Sequence, residues 1–398
     1  MITTFPGRHY ETGTIANALA AMGAVSPKTG RPYSEALALG ASGGIAFGYF
    51  VFEYTGHLPH VALLTRNTFS PFERALDNLA IRRDSRETTQ AKRAEDNLRL
   101  ELDAGNVVIV WADVFSMPYR GLCATQMWHM QPLLVVGQDG SDFLVADGAS
   151  VPLRVSAEEL DRARGKVKKD RYRMTILEAP DTERLGEGLI RGMETCAALF
   201  LDKPPMGSAN NFGFTGMRNW AKMLTDPKNP KGWARTFAPG PRLTQALAGK
   251  IGQPGVWDWI STWGTAPAGD RGRFAAFLRE AAVWTGLSAL NSVADAFDLS
   301  AIQWEALAEA SMPDLVPEFA RLKELKRRRT EVWISQPPDA VAQRAAMANE
   351  MRSLIATLGE PGRLEPFASE IQAAMAEIVL RIAEIEEPAV REMRAALG

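Results

Sequence analysis

Every segment with strand-like patterning lies in the first 180 residues of this 398-residue chain, and the remainder carries only helical patterns. Val107 to Asp113 (VVIVWAD) is a continuous apolar run of the length typical of a buried strand. Two further runs, Pro132 to Gly137 and Asp142 to Asp147, are joined by Gln138-Asp139-Gly140-Ser141, and Asp-Gly readily adopts the positive φ of a tight turn. These runs predict an antiparallel hairpin beside a buried strand, so the N-terminal part cannot be a helical bundle.

Other N-terminal segments complete this pattern. Thr12 to Met22 places its apolar residues at helical spacing and ends at a glycine, and Ile45 to Tyr54 is an aromatic-rich run with strand character. Val151 to Val155 and Tyr172 to Leu177 are typical of further strands, and Ser156-Ala-Glu-Glu159 forms a capping box that predicts a helix start. The predicted fold class is α+β with a mostly antiparallel sheet.

From about Pro180 the chain is predicted to be helical, with Pro- and Gly-rich joints between segments. Since domains usually hold roughly 100 to 200 residues, we expect an α+β domain over 1–180 and an all-helical domain over 181–398. The last helix places a stripe of apolar residues on one side, which is typical of internal packing or of a homodimer interface. This stripe contains Phe367, Ile371, Met375, Ile378, Ile382 and Ile385.

Charge and cysteine content exclude several classes of protein. Lys and Arg number 45 against 47 Asp and Glu, so no overall field favours nucleic acid or an anionic membrane. Cys123 and Cys196 lie far apart, which argues against a disulfide framework and a structural zinc site. The start of the chain has no basic signal-peptide region, and the apolar stretch 41–54 is shorter than the roughly 20 residues of a membrane-spanning helix. We therefore expect a cytoplasmic protein without nucleic-acid or membrane partners.

No cofactor or metal is expected either. The glycine-rich connector with Gly43 and Gly44 lies between a predicted helix and a strand, the reverse of the order in a phosphate-binding loop. His57 and His60 are close in sequence, but Pro59 disfavours a helix there and no acidic or sulfur ligand lies nearby.

His129 is the most informative histidine. It precedes one strand of the predicted hairpin, whose partner strand ends at Asp147, and adjacent antiparallel strands can bring an imidazole and a carboxylate together. A carboxylate that accepts from one ring nitrogen leaves the other as a general base. The alternative is a half-buried histidine at a strand end and a plain Asp-Gly turn.

Three ordered segments resemble the N-terminal domain of the butirosin biosynthesis protein H family. They are Gly7-Arg8-His9-Tyr10-Glu11-Thr12 with the helix after it, the stretch from Ser34-Glu35 to Gly48, and the block WHMQPLLVVGQDGSDFLVADGA. The helical remainder, notably Phe274 to Ala281 and the lead-in from Trp257, resembles the uncharacterised domain that commonly follows it.

The resemblance implies a papain-like fold used for acyl transfer, in which a cysteine takes an acyl group from a carrier-protein thioester and an amine accepts it. By position, the cysteine corresponds to Tyr10, the histidine to His129 and the acid to Asp147. A phenol with a pKa of about 10 is mostly protonated at neutral pH and forms no thioester. The matched segments also supply candidate substrate-binding residues, namely His9, Glu11, Glu35, Gly43 and Gly44.

Two main functions follow from this departure. The first is an acyltransferase or amide-forming enzyme of specialised metabolism, in which His129 and Asp147 activate an amine that attacks a carrier-protein or coenzyme A thioester directly. The second is a catalytically disarmed protein that binds a ligand or a carrier protein. A peptidase is a weaker alternative, because amide cleavage on this fold depends on the missing thiolate.

Overall fold

The structure is a computed structural model that describes residues 4–122, 128–263 and 267–398. The strands are β1 Ile45–Phe52, β2 His60–Arg66, β3 Arg83–Arg86, β4 Val108–Asp113, β5 Met130–Asp139, β6 Asp142–Ala146, β7 Leu153–Val155 and β8 Met174–Leu177. The helices are α1 Thr12–Ala21, α2 Glu35–Ala41, α3 Pro71–Asn78, α4 Ala91–Asp103, α5 Ala157–Arg164, α6 Leu185–Leu201, α7 Gly213–Thr225, α8 Trp233–Thr236, α9 Pro241–Ala248, α10 Val256–Ser261, α11 Arg271–Thr285, α12 Leu290–Ser311, α13 Pro317–Ser335, α14 Ala340–Leu358 and α15 Ala368–Ala396.

The predicted α+β class is confirmed. The described residues after Leu177 contain helices and no named strand, as the loss of strand patterning predicted. The capping box at the start of α5 is present, with the Ser156 hydroxyl accepting from the Glu159 amide and the Glu159 carboxylate accepting from the Ser156 amide. Two strands were missed. β3 (RDSR) is a short, charged edge strand, and β2 begins directly after Pro59, a residue typical of turns.

Six strands form one antiparallel sheet in the order β3-β8-β4-β5-β6-β7. In the β4–β5 pair, Asp113 lies opposite Met130. In the β5–β6 pair, Leu134 lies opposite Ala146, and an irregularity between Val135 and Gly137 shifts the register by one residue relative to the turn. The hairpin is therefore present, but its register near the strand ends is set by this irregularity.

One apolar core lies against this sheet. It is formed by alternating side chains of β4, β5 and β6, together with α4 and α5, and includes fully buried Val110, Val135 and Phe143. Trp333, which is far away in sequence, packs against the same core. Burial of this surface is the main stabilising contribution for this part of the chain.

The chain divides into two compact units, and each combines distant segments. The first unit comprises Met1–Ala38, Phe72–Gly188 and Glu331–Ala345, and the second comprises Leu39–Pro71, Leu189–Thr330 and Ala346–Gly398. These units are spatial groupings, and the expected division into domains over 1–180 and 181–398 stays a prediction.

The second unit contains the two-stranded antiparallel sheet β1–β2 and long packed helices. α15 packs against α7 and α12 through the predicted apolar stripe, in which Ile371, Met375 and Ile382 are buried. The stripe therefore serves internal packing at these positions.

Candidate functional site

The ends of β4 and β5 fix the main chain at His129. The Val114 amide donates to the His129 carbonyl over 3.1 Å, and the His129 amide donates to the Asp113 carboxylate over 2.8 Å. Asp113 is completely buried, and its carboxylate also accepts from the Phe115 amide and from the Ser116 hydroxyl. A carboxylate fixed by three donors thus lies beside His129.

Tyr10 lies next to His129 at the start of α1. The centroids of the two rings are 5.9 Å apart and the rings are nearly perpendicular. Tyr10 also contacts the ring of His9, with centroids 4.2 Å apart. Because α1 begins at Thr12, the positive end of its dipole faces this region. The structure therefore brings together two of the three residues predicted for catalysis.

Glu35 holds the segment that carries Tyr10. Its carboxylate accepts from the backbone amides of Arg8 (2.9 Å) and His9 (3.1 Å) and from the Thr12 hydroxyl (3.1 Å). A carboxylate oxygen has no donor of its own, so it suits a site lined by main-chain N–H groups. These contacts give Glu35, a predicted substrate-binding residue, a structural role at the helix start.

His9 and Glu11 are also part of this local structure. His9 is buried, and its Nδ1 accepts a hydrogen bond from the Glu11 amide over 3.2 Å. A ring nitrogen that accepts carries no proton, so this contact favours the His9 tautomer protonated at Nε2. His9 therefore shapes the turn before α1, and the substrate contacts predicted for His9 and Glu11 stay predictions.

Asp147 has different partners from the ones expected. Its carboxylate accepts from the Tyr119 hydroxyl over 3.0 Å and forms a two-pronged ion pair with the Arg120 guanidinium. The Arg120 guanidinium lies 4.4 Å from the centroid of the Trp333 ring, in a cation–π arrangement. Burial, followed by the Asp147 charge, raises the pKa of Tyr119 well above its usual range, so its phenol stays a donor.

The strand register explains why Asp147 does not reach His129. Since Ala146 lies opposite Leu134, Asp147 falls beside Leu133, four residues along β5 from His129. At about 3.3 Å per residue, this is an offset of about 13 Å along the strand. Within residues 4–122, 128–263 and 267–398, no hydrogen bond joins the His129 and Asp147 side chains. The expected His129–Asp147 pair is not formed, and a catalytic role for Asp147 stays a prediction.

The environment of His129 favours the neutral imidazole. Although the side chain is accessible to water, surrounding protein desolvates the ring, and this desolvation lowers its pKa. The Asp113 charge opposes the shift and the Arg120 charge adds to it. An accessible, neutral imidazole at pH 7 can accept a proton from a bound nucleophile.

A small cavity lies beside this region. Its volume is about 10 Å³, close to the room that one water molecule needs. It is lined by Ala112, Val114, Met117, Gln131, Pro132, Leu133 and Asp147. The cavity is too small to hold an acyl group.

Gly43 and Gly44 belong to the second compact unit and have packing reasons to be glycine. Both have positive φ, +97° and +68°. A Cβ at Gly43 would lie 2.2 Å from the Asn67 amide nitrogen, and one at Gly44 would lie 2.8 Å from the Phe274 ring. Close packing accounts for these glycines, and the substrate contacts predicted for them stay predictions.

The cysteines do not supply a replacement nucleophile in the described part of the chain. Cys196 is completely buried, its Sγ lies 3.3 Å from the Ile45 carbonyl oxygen, and burial raises its pKa to about 12. A neutral buried thiol is inert. Cys123 lies outside the described residues. Among the residues that are described, His, Cys, Asp and Glu side chains form no group of three that could hold a metal ion.

Asp113 is the site residue that sequence reasoning missed. Its signal was present, because a single carboxylate ends the otherwise apolar run VVIVWAD. What could not be read from the sequence is its position beside His129, which requires the pairing of β4 with β5.

Comparison with known proteins supports the predicted resemblance. Residues 9–148 match the family model described as "Butirosin biosynthesis protein H, N-terminal". No curated protein matches the chain. In the described ranges, none of the helices combines the length and the apolar character that a membrane span requires.

Proposed function

We propose that this chain, whose residues 9–148 match the family model "Butirosin biosynthesis protein H, N-terminal", is an acyltransferase of specialised metabolism that works without a covalent intermediate. It would move an acyl group from a carrier-protein or coenzyme A thioester to an amine. The family is named for a biosynthetic protein, and the donor, acceptor and mechanism are part of the proposal.

One observation carries the proposal. The imidazole of His129 is accessible, has a lowered pKa and lies beside Tyr10. Tyr10 stands just before α1, where the resemblance places a nucleophilic cysteine. A general base in this position can activate an amine, and a phenol can donate a hydrogen bond to a developing oxyanion. The family's covalent step is lost with the thiol, while the base remains.

The proposed reaction is a direct aminolysis. The amine nitrogen attacks the thioester carbonyl carbon, forming the C–N bond and a tetrahedral oxyanion toward which the Tyr10 hydroxyl donates. His129 takes the proton from the attacking nitrogen. When the C–S bond breaks, the imidazolium returns this proton to the thiolate, so the products are an amide and a free thiol.

A second candidate is a ligand-binding or carrier-binding protein without turnover. This candidate is favoured by the ion pair between Asp147 and Arg120. By the resemblance, Asp147 corresponds to the family's catalytic acid, and here its carboxylate is already paired with an arginine. Since Tyr10 replaces the family's cysteine and the Asp147 carboxylate is held in an ion pair, two of the three positions depart from the arrangement that the resemblance implies.

Release of free thiol tests the first candidate against the second. The wild-type protein, His129→Ala and the control His57→Ala are given acyl-carrier and coenzyme A thioesters with pooled amines. His57 is an exposed histidine in the loop between β1 and β2. Amine-dependent release that only His129→Ala lacks supports acyl transfer. Stoichiometric binding of a donor without release supports the binding protein instead.

A further inference from the structure

The end of β4 places a second carboxylate at the site, and this carboxylate accepts a hydrogen bond from His129 as well as from its own turn. Asp113 is completely buried, and a buried charge is costly unless donors surround it. One oxygen accepts from the His129 amide at 2.8 Å and from the Phe115 amide at 3.4 Å, and the other accepts from the Ser116 hydroxyl at 2.6 Å.

These three donors come from two places in the chain. Phe115 and Ser116 belong to the turn directly after β4, whereas His129 lies 16 residues after Asp113 and directly precedes β5. The carboxylate therefore fastens the main chain of His129 to the end of β4. The second main-chain contact, from the Val114 amide to the His129 carbonyl, fixes the same residue from its other side.

The charges around His129 make Asp113 its acidic neighbour. Among the described residues, the charges of Asp113 and Arg120 act on the imidazole, and the Tyr10 ring lies against it. Asp113 attracts a proton to His129 and Arg120 repels it. Asp147 is instead paired with Arg120 and Tyr119.

We propose that Asp113, and not Asp147, is the acidic positioning residue of His129. Asp113 would fix the backbone from which the imidazole projects, and its charge would stabilise the imidazolium that forms when His129 takes a proton. The catalytic consequence rests on the proposed acyl transfer, but the pairing of Asp113 with His129 can be measured without any activity.

The test compares Asp113→Asn with Asp147→Asn by NMR titration of the His129 ring protons, which are assigned with His129→Ala. Asparagine keeps an oxygen for the His129 amide and removes the charge. We expect the pKa of His129 to fall in Asp113→Asn and to change less in Asp147→Asn. An equal or larger fall in Asp147→Asn, or an unchanged pKa in Asp113→Asn, overturns the proposal.

Ser116→Ala is the matched control, because it removes one donor from the same carboxylate and keeps the charge. It should not lower the pKa of His129, and a fall as large as that in Asp113→Asn contradicts the proposal. If Asp113→Asn does not fold, exchange of the His129 amide proton in the wild-type protein decides. We expect the His129 amide proton to be protected from exchange with solvent. Exchange as fast as in an exposed loop would show that Asp113 does not hold this amide.

Kinetics then separate this inference from the proposed function. If the wild-type protein consumes a thioester, Asp113→Asn should lower kcat about ten-fold or more, part of the roughly 10²- to 10⁴-fold that a positioned base contributes, with little change in KM. The pH profile should shift with the pKa of His129. An unchanged kcat and profile overturn the catalytic part. If the wild-type protein has no turnover, the proposed function fails. The NMR titration of His129 then tests by itself whether Asp113 is its acidic neighbour.

Discussion

The two compact units each contain an arginine paired with a carboxylate, and the two pairs differ in how completely they are buried. In the second unit, Arg271 and Glu386 have no exposed side-chain surface, and the Glu386 carboxylate also accepts from Ser300 and Trp304. In the first unit, the Arg120 side chain is 23% exposed in its pair with Asp147. The pair in the second unit is a sealed core network, whereas the pair in the first is buried at Asp147 and partly exposed at Arg120.

The difference shows that polar groups can either stabilise a core or stay accessible for chemistry. Arg271 also donates to the carbonyl groups of Thr65, Ala46 and Gly269, so this network has donors and acceptors matched around a buried ion pair. Such a network contributes specificity and leaves no group for a substrate. The first unit keeps the imidazole of His129 accessible, with its main chain held by Asp113.

The largest loss of stability is expected for Glu386→Ala. Removing one partner of a fully buried pair leaves the Arg271 charge uncompensated, which costs about 3–5 kcal/mol. Urea unfolding monitored by tryptophan fluorescence measures this loss. Glu377→Ala is the control on the same helix, because its pair with Arg381 is largely exposed and should contribute less than about 1 kcal/mol. Equal losses in the two variants would remove the distinction between sealed and surface pairs.

Asp147→Ala should lose less stability, about 2 kcal/mol. It leaves the Tyr119 hydroxyl and the Arg120 guanidinium without this acceptor, but Arg120 can turn partly toward water. The same unfolding experiment ranks it between Glu386→Ala and Glu377→Ala. A loss as large as that of Glu386→Ala would mean that the partly exposed pair behaves as a core network.

Glu35→Gln is expected to cost about 1–2 kcal/mol, because the amide group of glutamine presents donors toward backbone N–H groups that need an acceptor. The segment with Tyr10 should loosen, which proteolysis or hydrogen exchange at residues 8–12 would detect. Glu87→Gln is an exposed control whose carboxylate accepts from Arg171 at 3.5 Å. Unchanged exchange at residues 8–12 in Glu35→Gln would refute the holding role of Glu35.

The smallest effect on stability is expected from pH through His129. Its folded-state pKa is lowered relative to the unfolded value of about 6.5, so the folded state favours the neutral ring. The stability from this group is complete above about pH 6.5 and is lost as pH falls through the folded pKa. Thioester consumption should likewise rise through that pKa and then level off.

Comparison with His129→Gln isolates this contribution, since the variant lacks the titrating ring. Wild-type protein should lose slightly more stability than the variant between about pH 7 and pH 5. An identical pH dependence of unfolding in the two proteins would show that the ring titrates alike in the folded and unfolded states.

The sequence by itself determined the features that depend on a few neighbouring residues. The Asp-Gly turn predicted the β5–β6 hairpin, Ser156 and Glu159 predicted the cap of α5, and the loss of strand patterning predicted the helical C-terminal part. The order of the matched segments also predicted that Tyr10 corresponds to the family's cysteine, and this correspondence stays a prediction.

Only the tertiary structure decided which carboxylate lies beside His129. The register of β5 with β6 depends on an irregularity between Val135 and Gly137, and the contact with Asp113 depends on pairing with β4. Likewise, Trp333 joins the first unit although it lies in the predicted helical domain. Turns and caps follow from local dihedral preferences and hydrogen bonds, whereas register and long-range partners follow from the packing of the whole core, which no short segment encodes.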